Sequence, residues 1–129
     1  MKMRKSNPQR NKKYFISNGV DLIEIKKAKR LYKAHKNRLD SFFSLREIAY
    51  IKTSERPHEN LAILLASKEA VFKAIPRLGT GLTAFRELEM IPKKKNRFYV
   101  CFKETLKHAN FKFFVLRNKK YVIVQCAGI

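Results

Sequence analysis

HENLAILLASKEAVFKAI, residues 58–75, is the stretch on which the reading of this chain turns. Leu61, Leu64, Leu65, Phe72 and Ile75 recur at helical spacing, which predicts one long helix with its apolar side on a core. Pro57 fits the first helical turn, where an amide N–H has no intrahelical partner, and Pro76 stops the helix at the other end. Two charges interrupt the apolar run. Glu69 and Lys73 are four residues apart and so lie one above the other on the same face.

On the N-terminal side, Ser44-Leu45-Arg46-Glu47 has the form of a capping box and predicts a short helix. Residues 26–37 set Ala28, Leu31, Tyr32 and Ala34 among charges and predict an amphipathic helix. Residues 14–25, YFISNGVDLIEI, are rich in β-branched and aromatic side chains and read as a strand in two parts, broken at Asn18-Gly19, with Asp21 near its centre. On the C-terminal side, Gly79-Thr80-Gly81 marks a turn. Strands are predicted at 85–91, 97–102 and 111–117, with a short helix at 103–109 between the second and third. Asn118-Lys119 suggests a hairpin into a last strand at 121–127. Helices early and strands late predict an α+β domain over 14–129, an antiparallel sheet with a long central helix. Residues 1–13, MKMRKSNPQRNKK, carry six cations and no acid and read as a disordered basic tail.

Composition narrows the partners. Thirty Lys and Arg against ten Asp and Glu give a formal net charge of +20, a surface that attracts acidic proteins, nucleic acid or anionic membranes through a salt-sensitive field. With 45% apolar residues in 129, one core is well supplied, and two would each be marginal. No apolar run approaches the roughly 18 residues needed to span a bilayer, so membrane insertion is not expected. Cys101 and Cys126 sit in apolar strands without metal or redox spacing. With no secretory signal, they read as buried free thiols in the cytoplasm. The Walker loop, the dinucleotide fingerprint and HExxH are absent, and the three histidines are scattered in polar settings.

With acids so scarce, Asp21 between Val20 and Leu22 and Glu69 inside an apolar helix stand out, because charge in apolar surroundings needs compensation. Two readings fit them. Two carboxylates and Lys73 form a magnesium and phosphate site, with hard oxygen ligands for the metal and an ammonium for a phosphate oxygen. Alternatively, Glu69–Lys73 is an ordinary helix-surface ion pair and Asp21 a turn residue after Gly19.

The motifs themselves carry a resemblance. Gly19-Val20-Asp21-Leu22-Ile23-Glu24-Ile25 and Ala66-Ser67-Lys68-Glu69-Ala70-Val71-Phe72-Lys73-Ala74 resemble, in order, the two signatures of the holo-acyl-carrier-protein synthase type of 4′-phosphopantetheinyl transferase. Phe43-Ser44 with Glu47, Gly79-Thr80-Gly81 and Glu87-Leu88-Glu89 are lesser matches. The resemblance implies a small α+β enzyme, usually a homotrimer with sites between protomers. Such enzymes move the 4′-phosphopantetheine group of coenzyme A to a serine of an apo acyl carrier protein of fatty-acid, polyketide or peptide synthesis, with Mg²⁺, releasing 3′,5′-ADP. Carried over, it makes Asp21 and Glu69 the metal ligands, Glu69 the base and Lys73 the pyrophosphate contact. Lys68 becomes a second phosphate contact, and Gly79, Thr80 and Gly81 become part of the cofactor site. Lys26, Lys27 and Arg30, with Lys29 beside them, match the basic helix that docks the acidic carrier; the other reading of that helix is a solvated face.

The chain departs from the pattern at its nucleotide end. Leu64 stands where the family usually has an Arg. Phe114-Val115-Leu116-Arg117 stands where it has Ser-x-Ser-His, so that Arg117 replaces the histidine electrostatically and nothing replaces the serines. The segment between Lys73 and Gly79 is also slightly long. Together with the charge, these departures leave a second function open: a catalytically degenerate relative acting as a basic RNA-binding or ribonucleoprotein component, with Phe98, Tyr99, Phe113 and Phe114 as stacking or core residues.

Overall fold

The computed structural model describes residues 17–75, 87–94, 97–102, 107–109 and 111–128. Strand β1 (Ser17–Glu24) runs straight into helix α1 (Ile25–His35), followed by a 3-10 turn (Leu39–Ser41), α2 (Leu45–Lys52) and the 18-residue α3 (Pro57–Ala74). Strands β2 (Leu88–Pro92), β3 (Phe98–Phe102), β4 (Lys107–Ala109), β5 (Phe111–Arg117) and β6 (Tyr121–Gly128) complete the chain. The α+β architecture with a long central helix is as predicted. Among the described residues, however, the strands form two three-stranded antiparallel sheets, β1-β6-β5 and β2-β3-β4, rather than one.

Helix α3 is the axis of the molecule. It packs on β1 and β6 of the first sheet, on β2 of the second, and on α1 and α2. Its burial goes beyond the predicted stripe: Leu61, Ala62, Ile63, Leu64, Ala66, Ala70, Val71 and Ala74 are all buried, as are Ser67 and Lys68. A helix that is apolar around most of its circumference belongs inside a core. The side facing β1 is smooth. Gly19 lies so close to the backbone of Ala70 and Ala74 that a Cβ there would stand 1.8 Å from the Ala70 carbonyl oxygen.

Local chemistry accounts for the ends of the elements. Ser44 and Glu47 close the capping box in both directions: Glu47 N–H donates to Ser44 Oγ at 3.2 Å, and Ser44 N–H to Glu47 Oε1 at 3.0 Å. Pro57 occupies the start of α3. In the β5–β6 hairpin, Asn118 Oδ1 accepts from Lys120 N–H and Tyr121 N–H, both at 2.8 Å, an Asx arrangement that fixes the turn.

Two expectations are corrected. Asn18-Gly19 does not divide β1, because both residues stay in the ladder opposite Ala127 and Cys126. Gly19 is there for close packing on α3, not for a turn. Residues 107–109, expected at the end of a helix, form β4 and pair with Val100–Phe102, since a free strand edge satisfies their backbone better than a single helical turn. Residues 103–106 lie outside the described residues, as do the N-terminal tail and Gly79, Thr80 and Gly81. Cys101 and Cys126 are buried and free. Burial pushes the Cys126 thiol up to about 11, against a smaller opposing effect of the hydrogen bond from the Gly19 backbone. At neutral pH it is an inert thiol.

Candidate active site

Alternation along β1 decides where Asp21 points. Val20 and Leu22 are about half exposed on the outer face of the sheet, while Gly19 is buried on the inner face. Asp21, two residues after Gly19, takes the inner side and meets the C-terminal half of α3. There Lys73 Nζ donates to Asp21 Oδ1 at 2.7 Å; the Asp21 side chain is 18% exposed and that of Lys73 55%.

Glu69, one turn before Lys73, stands within the field of both. Partial burial holds its carboxyl above the ordinary range, the neighbouring Asp21 charge pushes it further up, and Lys73 pulls the other way. The three residues singled out in the sequence therefore meet at one place, where β1 crosses α3. The helix-surface reading fails in one respect: the short contact of Lys73 is to Asp21, across the fold, rather than to Glu69.

The charge of Asp21 beside the partly buried Glu69 carboxyl, only partly offset by Lys73, makes this a place where a further cation would be favoured. Among the described residues no cluster of three or more His, Cys, Asp or Glu side chains is present, so the described residues offer a metal here two carboxylates, Asp21 and Glu69. That donor set suits magnesium, which keeps its waters and takes one or two carboxylates together with substrate phosphates.

The other predicted residues lie elsewhere. Lys26, Lys27, Lys29 and Arg30 are all exposed on α1, which follows β1 directly. Arg117 ends β5 and bonds Glu59 Oε1 at 3.3 Å, at the N-terminal end of α3. Ten residues of helix, about 15 Å, separate that point from Glu69. Leu64 is fully buried, so its position offers nothing to a ligand. Phe114 and Leu116 are 56% and 70% exposed on the outer face of the first sheet.

Lys68 is corrected. Its side chain is 1% exposed, and its ammonium lies 2.9 Å from Glu47 Oε2, inside the protein. A lysine held there does not present its charge to a phosphate at the Asp21–Glu69 site. Sequence reasoning took Glu47 as a capping residue and a lesser family match and missed the pair. The available signal was Lys68 itself, a cation set among Ala66, Ser67, Ala70 and Val71. A cavity of about 450 Å³ between β3 and β5 also went unnoticed; Lys93, Arg97, Lys112, Tyr99 and Phe114 are among its lining residues.

Residues 17–126 match the family model of the 4′-phosphopantetheinyl transferase superfamily. The holo-[acyl-carrier-protein] synthase of Moorella thermoacetica is 35% identical over 79 residues, 61% of this chain and 61% of that protein. The enzyme of the same name from Clostridium acetobutylicum is 42% identical over 67 residues, 52% of each chain. The chain thus spans roughly half to two thirds of the length of such relatives. The ACPS–CoA complex of Chronobacterium ammoniagenes has the same fold, with a TM-score of 0.70 at 20% identity, covering 89% of this chain and 97% of that one.

Proposed function

The chain belongs to the 4′-phosphopantetheinyl transferase superfamily, and from that premise we propose that it transfers the 4′-phosphopantetheine group of coenzyme A to a serine of an apo acyl carrier protein. The observation that carries this reading is the meeting of Asp21, Glu69 and Lys73, with a 2.7 Å contact across the fold and a Glu69 carboxyl held above its usual range.

Asp21 and Glu69 would hold Mg²⁺, which when bound neutralises charge on the pyrophosphate of coenzyme A. Glu69 accepts the proton of the carrier serine as its oxygen bonds the phosphorus of the pantetheine phosphate. The phosphoanhydride bond breaks, and 3′,5′-ADP leaves with the electron pair. Lys73, exposed enough to exchange Asp21 for a phosphate oxygen, stabilises that leaving group. Lys26, Lys27 and Arg30 receive the acidic carrier beside the site, which makes the +20 charge a steering device rather than an RNA footprint. Arg117, at the end of β5, is the cation assigned to the nucleotide end in place of the family's histidine. Buried free thiols suit a cytoplasmic protein.

The test is a mass measurement. Incubation with coenzyme A, Mg²⁺ and an apo carrier protein should add one phosphopantetheine arm to the carrier. No gain across several carrier proteins would sink the reading.

The assembly proposed with this function is a homotrimer. Its support is the outer face of the first sheet, where Val20, Leu22, Phe114, Leu116 and Ile123 are 36–70% exposed on adjoining strands. So many apolar side chains on one surface mark an interface. Leu116→Glu should therefore move the protein from about three protomers to one in sedimentation while leaving its circular dichroism unchanged. A wild-type protein that sediments as a monomer would refute this assembly.

A further inference from the structure

The carboxylate of Glu47 joins three elements inside the protein. Its own Ser44 cap donates to Oε1 at 3.0 Å, Lys68 Nζ of α3 reaches Oε1 at 3.1 Å and Oε2 at 2.9 Å, and Met90 N–H of β2 donates to Oε2 at 2.8 Å. Glu47 and Lys68 are each 1% exposed, and the ammonium also lies 5.4 Å from the centre of the Phe43 ring. Burying two charges is unfavourable unless each is paired and hydrogen-bonded, and such a pair adds little stability over apolar side chains of the same size. What it does supply is direction.

Direction is what the alanine face of α3 supplies least. Apolar burial is non-directional, and this helix is buried on most of its sides. Ala62, Ala66, Ala70 and Ala74 recur every four residues and are all buried, and the last two meet the bare backbone of Gly19. Small side chains give close approach but little interlocking, so this alanine face by itself does little to fix the rotation of the helix. A buried polar contact is the device best suited to fixing register. Lys68 directly precedes Glu69, so holding Lys68 toward Glu47 aims Glu69 about 100° around the helix. In the structure that direction lies toward Asp21, since Lys73, one turn on from Glu69 on the same face, meets Asp21 at 2.7 Å.

We propose that Glu47, acting through Lys68, is a positioning residue for the transfer: the pair sets the rotation of α3 and thereby brings Glu69 beside Asp21. The proposal rests on the reading of Asp21 and Glu69 as the metal site. The decisive variant replaces both partners, Glu47→Gln with Lys68→Met, which leaves no unpaired charge inside and keeps a carbonyl acceptor for one of the two amides, Ser44 N–H or Met90 N–H. Mn²⁺ binding in the presence of coenzyme A is followed by electron paramagnetic resonance, alongside kcat, at a temperature where circular dichroism shows the variant native. The expected result is Mn²⁺ affinity weaker by about tenfold, the size typical of groups that orient metal ligands. A matching fall in kcat is expected, with KM for the carrier unchanged because α1 is untouched.

A native variant that binds Mn²⁺ as the wild type does would overturn the proposal and leave the site reading standing. A wild-type protein that fails to bind Mn²⁺ would overturn both. If the double variant does not fold, Glu47→Asp, which keeps the charges and shortens the reach, takes its place. An affinity loss of up to about tenfold is then expected, and an unchanged affinity overturns the proposal.

Discussion

Glu69→Ala is expected to lower the rate of carrier modification by about 10³-fold or more while the protein remains folded. The residue is asked to do two things, to hold a metal and to take a proton. General-base catalysis alone is worth roughly 10²–10⁴-fold. Because Glu69 is on the surface of α3, its removal leaves the core intact. Asp21→Ala should lose activity as well, and Lys73 then loses its partner.

A second readout separates a functional carboxylate from a structural one. Burial first, then the neighbouring Asp21, raise the Glu69 carboxyl, and Lys73 offsets only part of this. An acid whose folded pKa is raised contributes stability below its unfolded value of about 4.5, and that contribution is lost as pH rises through the folded value. At pH 7 the ionised group therefore opposes folding. Without metal, Glu69→Gln should raise Tm at pH 7 by about 1–3 °C and have no effect near pH 4. Added Mg²⁺ should raise Tm in the wild type only. A Gln variant less stable than wild type at pH 7 would mean that the carboxylate is a structural contact.

How much of this could be read beforehand depends on the kind of contact. Asp21, Glu69 and Lys73 were legible because charges in apolar stretches of an acid-poor chain are conspicuous in one dimension. The α3 helix, the Ser44–Glu47 box and the Asn118 turn were legible because their determinants lie within four residues of each other. The Lys68–Glu47 pair was not, since it joins residues of different helices and nothing local says which acid a buried lysine will find. Strand β4 was hidden for a related reason: three residues carry little propensity of their own, and an edge of β3 decides their state. The two faces of β1 were not legible, because a strand read as broken at Asn18-Gly19 has no continuous alternation, and its apolar outer face shows only once β5 and β6 stand beside it.

Gly19 shows the same limit and carries the largest expected effect on stability. A Cβ at this position would lie 1.8 Å from the Ala70 carbonyl oxygen, 2.8 Å from the Ala70 carbonyl carbon and 2.8 Å from the Ala74 amide nitrogen. All three are backbone atoms of α3, with no flexible side chain to give way. In Gly19→Ala the strand must lift by roughly 1 Å or more, in an interior packed as densely as an organic crystal. Overpacking of this kind costs about 3 kcal/mol, which for a domain of this size lowers Tm by about 10–20 °C. Because Asp21 is only two residues along the same strand, the displacement also opens the Asp21–Lys73 contact, and transfer should fall even where the variant is folded. Removing the Ala70 methyl does not help, because the clash is with main-chain atoms. The double variant Gly19→Ala with Ala70→Gly should be no more stable than the single one. A single variant melting within about 2 °C of wild type, or a double variant restored to it, would show that β1 and α3 do not meet backbone to backbone.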